Sequence, residues 1–404
     1  MKVVHAKTLL KPIIFWLFVL IILIEFVLHY NLRDLPYKFL NHTTGPIQRL
    51  GQYSKNEVLP NNYIALIGDS NVYGYGPWLY DNSWSMEQPS FATHHLLYSC
   101  LKRDVIAFGY PGYGSLGSAL SMVGELRSLK QSWLWSEIDD PTEILFVFYE
   151  GNDLINNLHE VEQRNLRSNL VVNETLESKL NNIFRTEERK IKNNLSGTAH
   201  IASWNLFSGL AQNYWHKFFP EETKHFDSKS PDKKASESQK EKKVPPINVA
   251  LINGRETPLG FCEGPALLLH QDEILLSLKI TEHSLSYLKS NFPASNISLV
   301  YLPSSLAVYE FSNCKLSPAP LSIYGEDRSG LFKPNEAKEK NRALREKLLS
   351  ITQSIGVDFW DTTDHLAQIA HSKLLHGPRD PIHLNRAGYE SFTDAILSFM
   401  KPNS

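Results

Sequence analysis

Four short stretches of this chain hold residue types whose spacing could do chemistry. Gly68-Asp69-Ser70-Asn71 closes an apolar run, Tyr63 to Ile67. A serine at a strand-to-helix turn can present its hydroxyl as a nucleophile and its own N–H to an oxyanion. The same residues would also make an ordinary helix N-cap. Gly109 to Ser115, GYPGYGS, follows a second apolar run. Its glycines let backbone N–H groups approach a ligand or simply make a turn, and no Lys-Ser/Thr pair closes it as a phosphate loop. Gly151-Asn152-Asp153 follows a third run. Asn152 there could aim its amide N–H at a developing negative oxygen, or form an Asx-turn. Near the C-terminus stands Asp380-Pro381-Ile382-His383. A histidine that takes a proton from a serine needs an acceptor on its other ring nitrogen, and an aspartate three residues earlier reaches that position within one turn. One histidine among 15 proves nothing alone; the four stretches together carry the weight.

Three of these stretches lie just after apolar runs, and the fourth precedes an amphipathic one. Runs at 63–70, 104–109, 143–149, 297–302 and 357–360 read as buried strands. Helical patterns at 90–101, 115–128, 267–290, 336–354 and 385–399 alternate with them. Strands without polar alternation, separated by helices, predict a parallel sheet covered on both faces, a three-layer α/β/α domain. In such sheets function gathers at the C-terminal strand ends, where Ser70, the glycine loop and Asn152 are expected.

Block by block, the GDS turn at Ser70, the glycine loop at Gly112, the GND turn at Asn152 and the D-x-x-H turn with its DPIHLNRAGYESF tail resemble the SGNH (GDSL-like) hydrolases over residues 60–155 and 264–400. The resemblance implies a flavodoxin-like fold and metal-free, cofactor-free acyl chemistry. It makes Ser70 the nucleophile, His383 the general base and Asp380 its orienting partner. The oxyanion donors would be the N–H groups of Ser70 and Gly112 and the Asn152 side chain. Asn71 stands where many members have leucine, and Ala107 where the second block often carries asparagine, which removes one supporting hydrogen bond from the expectation.

The chain of 404 residues has a formal net charge of -2 and 42% hydrophobic residues. A core is affordable at that length, and no charge excess points to nucleic acid. Residues 12–30, PIIFWLFVLIILIEFVLHY, are long and apolar enough for a membrane helix, with Lys2, Lys7 and Lys11 before them and no small-residue cleavage site after. This predicts an uncleaved signal anchor in an inner (cell) membrane, with the large domain on the extracytoplasmic, periplasmic side. Arg33, Lys38 and Arg49 weaken the charge asymmetry, and Glu25 is expected near the interface.

Residues 31–60 read as a linker, and 61–404 as the hydrolase domain, interrupted by a long insertion at about 155–262. The aromatic part of that insertion, Ile201 to Phe219, reads as a helix packing its rings on the domain, or as a lid. Residues 225–246, charged and poor in apolar side chains, read as disordered. Cys262 and Cys314 could pair in an exported domain, while Cys100 reads as core packing. The adjacent His94 and His95 diverge by about 100° on a helix and would not share a metal ion.

The expected function is an esterase or deacetylase working through an acyl-serine, on an acylated envelope glycan or lipid. The same triad would serve an O-acyltransferase that passes the acyl group to a sugar hydroxyl. A non-catalytic SGNH-fold partner of an acyl-transfer complex is the reading from a different class. Acyl length and oligomeric state are not legible.

Overall fold

The computed structural model describes residues 2–35, 45–76, 89–163, 176–194, 201–218, 248–377 and 380–400. The stretch expected to be disordered, 225–246, lies outside them. The chain divides into two compact units. The larger comprises Asn61–Gly124, Asp139–Asn193 and Pro245–Ser404; the smaller comprises Met1–Pro60, Glu125–Ile138 and Asn194–Val244.

The larger unit is an α/β fold on a five-stranded parallel sheet. Its strands are β1 (Ile64–Gly68), β2 (Val105–Gly109), β3 (Glu143–Tyr149), β4 (Asn296–Leu302) and β5 (Asp358–Asp361), in the order β2-β1-β3-β4-β5. Each apolar run thus became a strand at nearly its expected bounds. Every residue of β1 and β2 is buried, so neither strand face meets water. That is why their side chains are apolar without alternation. The register places Gly68 beside Gly109 and Tyr149 beside Leu302, so the strands end together at one edge. The chain runs from β1 outward to β2, then returns past β1 to β3. The order reverses at β1, and the crevice beyond its C-terminal end is where open α/β sheets bind ligands.

Buried polar groups lock that edge. The Glu150 carboxylate accepts N–H bonds from Ser304 and from the Asn341 side chain, both at 2.9 Å, tying the ends of β3 and β4 to helix Pro334–Ile355. Burial raises its pKa, and these donors partly offset the rise.

The stretch expected to be a plain insertion contains structure that belongs to the sheet domain. A helix, Asp153–Gln163, buries Leu154, Leu158 and Val161. A second, Leu176–Asn194, puts Leu180, Ile183 and Phe184 into a cluster with Leu116, Leu120 and Ile280. Val249–Ile252 and Arg255–Pro258 form an antiparallel hairpin. One cysteine possibility is not realised and one expectation is corrected. Cys262 and Cys314 are both free, one buried and one exposed, and burial pushes the Cys262 thiol up to about 12. Cys100, expected in the core, is exposed at the end of helix Thr93–Leu101.

In the smaller unit, Lys2–Asn31 is one helix, and Pro12–Asp34 is long and apolar enough to cross a membrane. Residues 45–60, expected as connector, are packed: Ile47, Leu50 and Val58 are buried. The buried Lys55 ammonium donates to the carbonyls of Leu50, Glu57 and Val58, using all three of its protons. The aromatic segment is a helix, Ala202–Phe218. Its rings do not all pack inward as expected, since Trp204 and Phe207 are exposed.

Candidate active site

Asp69 follows β1 and caps the four-residue helix Ser70–Tyr73 by accepting the Asn71 N–H at 2.9 Å. Ser70 is therefore the first residue of a helix, where its N–H has no partner within the turn. The helix is short because Gly74 follows in the left-handed conformation at φ 78. It packs closely on β2: a side chain at Gly109 would meet the Tyr73 backbone at 2.2 Å.

His383 lies on an antiparallel pair, His376–Gly377 with Asp380–Leu384. Asn385 clamps the pair by donating to the carbonyls of Leu374 and His376, each at 2.8 Å. His383 Nε2 lies 3.1 Å from Ser70 Oγ, and its Nδ1 lies 2.8 Å from Asp380 Oδ2. Asp380 Oδ1 accepts the N–H groups of Ile382 and His383, each at 3.2 Å. Burial works against this carboxylate. The hydrogen bond and charge of His383, with the two backbone donors, outweigh burial and hold its pKa below the ordinary value. An ionised Asp380 fixes the proton on Nδ1 and leaves the Nε2 lone pair facing Ser70. The Asn71 side chain receives the Leu384 N–H at 3.3 Å, joining the serine turn to the histidine strand. The Tyr75 ring meets the His383 ring edge-on, centroids 5.3 Å apart.

Ser70 Oγ also lies 3.4 Å from Asp69 Oδ2. A hydroxyl has one proton, and the shorter contact to Nε2 is the productive one. Asp69 Oδ2 accepts Asn152 Nδ2 at 3.0 Å. The opposite amide orientation would set two acceptors face to face, so the NH₂ faces Asp69. One of its two protons is used there and the other remains for a ligand. Asn152 Oδ1 is buried without a protein partner.

Gly112 sits on the loop after β2. The Tyr113 N–H donates to the Tyr110 carbonyl at 3.0 Å, with Pro111 and Gly112 between them. Gly112 has φ +77, and a Cβ there would meet no atom within 4 Å. Pro then Gly with positive φ is type II turn chemistry, so backbone conformation, not space, requires the glycine. In this turn the hydrogen bond comes from Tyr113, which leaves the Gly112 N–H out of it.

The loop is held by residues that sequence reading passed over. Glu160 accepts the N–H groups of Gly114 (2.9 Å) and Gly117 (2.8 Å), and Asn157 Oδ1 accepts that of Ser115 (2.7 Å). Asp153, Asn157 and Glu160 recur at helical spacing beside the apolar Leu154, Leu158 and Val161. That polar stripe was the available signal. Asp153 itself accepts the Tyr149 N–H at 2.8 Å, and burial, then the Asp69 charge, push its pKa well up.

Asp380, His383 and Ser70 are thus joined by hydrogen bonds, Asn152 is tied to Asp69 beside the serine, and Gly112 stands on a neighbouring loop at the same sheet edge. The rings of His94 and His95 lie 4.2 Å apart, closer than a 100° divergence suggests, and burial lowers the pKa of His95 to about 4. Among the described residues no group of three or more His, Cys, Asp or Glu could hold a metal ion.

No family model matches the chain, and no curated protein matches it. One solved crystal structure aligns with 84% of this chain and 96% of its own at 11% identity. Its TM-score of 0.33 is too low to bear on fold or function.

Proposed function

We propose that this protein is a serine-dependent ester hydrolase of the SGNH kind, held to a membrane by its N-terminal helix and acting on an acylated envelope glycan or lipid. The observation that carries the reading is the relay Asp380–His383–Ser70, with contacts of 2.8 and 3.1 Å. The strand order β2-β1-β3-β4-β5 is that of flavodoxin-like sheets, which supports the finer fold assignment. The resemblance of the four sequence blocks supports the family.

In this reading His383 Nε2 takes the Ser70 proton as Oγ attacks the ester carbonyl, and ionised Asp380 stabilises the imidazolium. The tetrahedral oxyanion is met by the Ser70 and Gly112 N–H groups and the second proton of Asn152 Nδ2. His383 returns its proton to the leaving oxygen, the alcohol departs, and Ser70 is left acylated. Water, deprotonated by His383, then releases the acid.

The test is turnover of p-nitrophenyl acetate by the full chain in detergent, against Ser70→Ala. Loss of a triad serine typically costs about 10⁶ in kcat. Equal background rates, together with no labelling of Ser70 by a fluorophosphonate, would overturn the proposal. Adding an oligosaccharide acceptor and weighing the products by mass spectrometry separates hydrolysis from acyl transfer.

A further inference from the structure

We infer that the helix Ala202–Phe218 is a second membrane-embedded element, its start capped by Glu25 of the N-terminal helix and its Trp204–Phe207 face in contact with lipid acyl chains. The inference rests on the reading of Pro12–Asp34 as a membrane span.

Glu25 is the anomaly that leads to it. Residues 12–18 and 20–24 of that helix are exposed and apolar, as are Phe26 and Val27, while Glu25 is only 4% exposed. With Leu28, also buried, and the half-buried His29 it forms a covered stripe at helical spacing. A carboxylate within a membrane span persists only with a partner. Its two oxygens accept the N–H groups of Ala202 (3.0 Å) and Ser203 (2.6 Å), the first two residues of the second helix. Those donors have no partner inside their own helix, and the helix dipole favours an anion at that end. Each group removes the other's obstacle to an apolar medium: the carboxylate gains two donors, and the helix start gains its acceptor.

The position is also informative. Glu25 stands six residues before Asn31, the end of its helix, or about 9 Å along the axis at 1.5 Å per residue. A chain that starts from Glu25 therefore starts inside the apolar span. Trp204 and Phe207, three residues apart on one helix face, are 52% and 68% exposed. On the first helix, Ile21, Ile22, Leu23 and Phe26 are exposed at the level of Glu25, the level at which the second helix begins. At the end of the span, His29 stacks on the buried Trp135, while Trp133 is 76% exposed, the residue type that gathers at membrane interfaces. An apolar face that starts beside lipid-facing residues is covered by the same lipid.

The test uses the full chain with Cys100→Ala, Cys262→Ala and Cys314→Ala in phosphatidylcholine–phosphatidylglycerol vesicles. A single nitrobenzoxadiazole label is placed at Phe207→Cys, at Leu20→Cys as the span reporter, or at the exposed Arg342→Cys as the aqueous reporter. Brominated acyl chains are expected to quench the labels at 207 and 20 alike and leave that at 342 unchanged. Quenching at 20 with a water-like label at 207 overturns the inference and spares the anchor. No quenching at 20 removes the anchor reading itself. A label at 207 shielded from both brominated lipid and aqueous iodide means that protein covers the helix, which also overturns the inference. Glu25→Leu is expected to lower quenching at 207 at least twofold, while Glu25→Gln, which keeps an acceptor, preserves most of it. No change in Glu25→Leu would refute the cap as the device that holds the helix.

Discussion

Replacing Asp380 by asparagine gives the sharpest test of the proposed chemistry, because the structure dictates how the new side chain must sit. Oδ1 of Asp380 accepts two backbone N–H groups, from Ile382 and His383. In Asp380→Asn the carbonyl oxygen has to keep that position, since an NH₂ there would face two donors. The NH₂ then occupies the place of Oδ2, 2.8 Å from His383 Nδ1, and presents a donor to it. Nδ1 must lose its proton to accept, so the proton moves to Nε2, the nitrogen facing Ser70. The base then holds a hydrogen where it needs a lone pair. This exchange of tautomers costs about 10⁴ in kcat in a serine triad, or about 5.4 kcal/mol at 1.36 kcal/mol per tenfold. Thermal stability should change little, because both backbone donors keep their acceptor. Asp380→Ala should lose comparable activity and also lower the melting temperature, since those two donors lose their partner. The assay is p-nitrophenyl acetate turnover with fluorophosphonate labelling of Ser70 as a second readout. Asp380→Asn within tenfold of wild type in both would refute the assignment of Asp380, and with it the tautomer argument.

Further outcomes follow from the neighbouring contacts. Asn152→Ala should lower kcat by about 10²–10³, the usual cost of one oxyanion donor, with KM little changed; a raised KM with kcat unchanged would mark a ground-state contact instead. Glu160→Ala frees the Gly114 and Gly117 N–H groups and should cost about 1–3 kcal/mol per unsatisfied buried donor, read by denaturant unfolding, with activity falling as the Gly112 loop shifts. Glu160→Gln keeps one acceptor and should fall between Glu160→Ala and wild type. The folded-state pKa of Asp153 is raised, so the stability it contributes is present below its unfolded value, near 4, and is lost as pH rises through the folded value. Asp153→Asn should therefore melt higher than wild type at pH 8 and converge with it at acid pH; the reverse order would contradict the burial argument. Asp380 has the opposite sign: its depressed pKa contributes stability above the unfolded value that is lost as pH falls through the folded one, so Asp380→Ala and wild type should converge at low pH.

The parts of this molecule legible in the sequence are those whose physics is local. A strand buried on both faces needs an unbroken apolar run, and Ile64–Gly68 and Glu143–Tyr149 read as such without any knowledge of their neighbours. Asp380 and His383 are three residues apart, so their contact could be read from spacing alone. The serine could be placed on the same sheet edge as Asn152 because strand ends in parallel sheets converge. What stayed hidden depends on partners far along the chain. Glu160 lies in the stretch that reads as an insertion, yet its acceptors are spent on a glycine loop 43 and 46 residues earlier. Glu25 looked like a charge near a membrane interface, yet its donors arrive 177 and 178 residues later. Cys100 was assigned to the core because the short helix Thr93–Leu101 has apolar residues around much of its circumference, and period alone does not say which face meets the sheet. These cases share one cause. A buried acceptor or an exposed ring is defined by what lies opposite it, and residue type constrains only the kind of partner, not its address. Glu160 and Glu25 answer that constraint in the same way, each giving both carboxylate oxygens to backbone N–H groups that lack a partner. A buried glutamate is thus a signal in itself. Its partner should be sought among helix starts and glycine loops, where unpaired N–H groups occur in pairs.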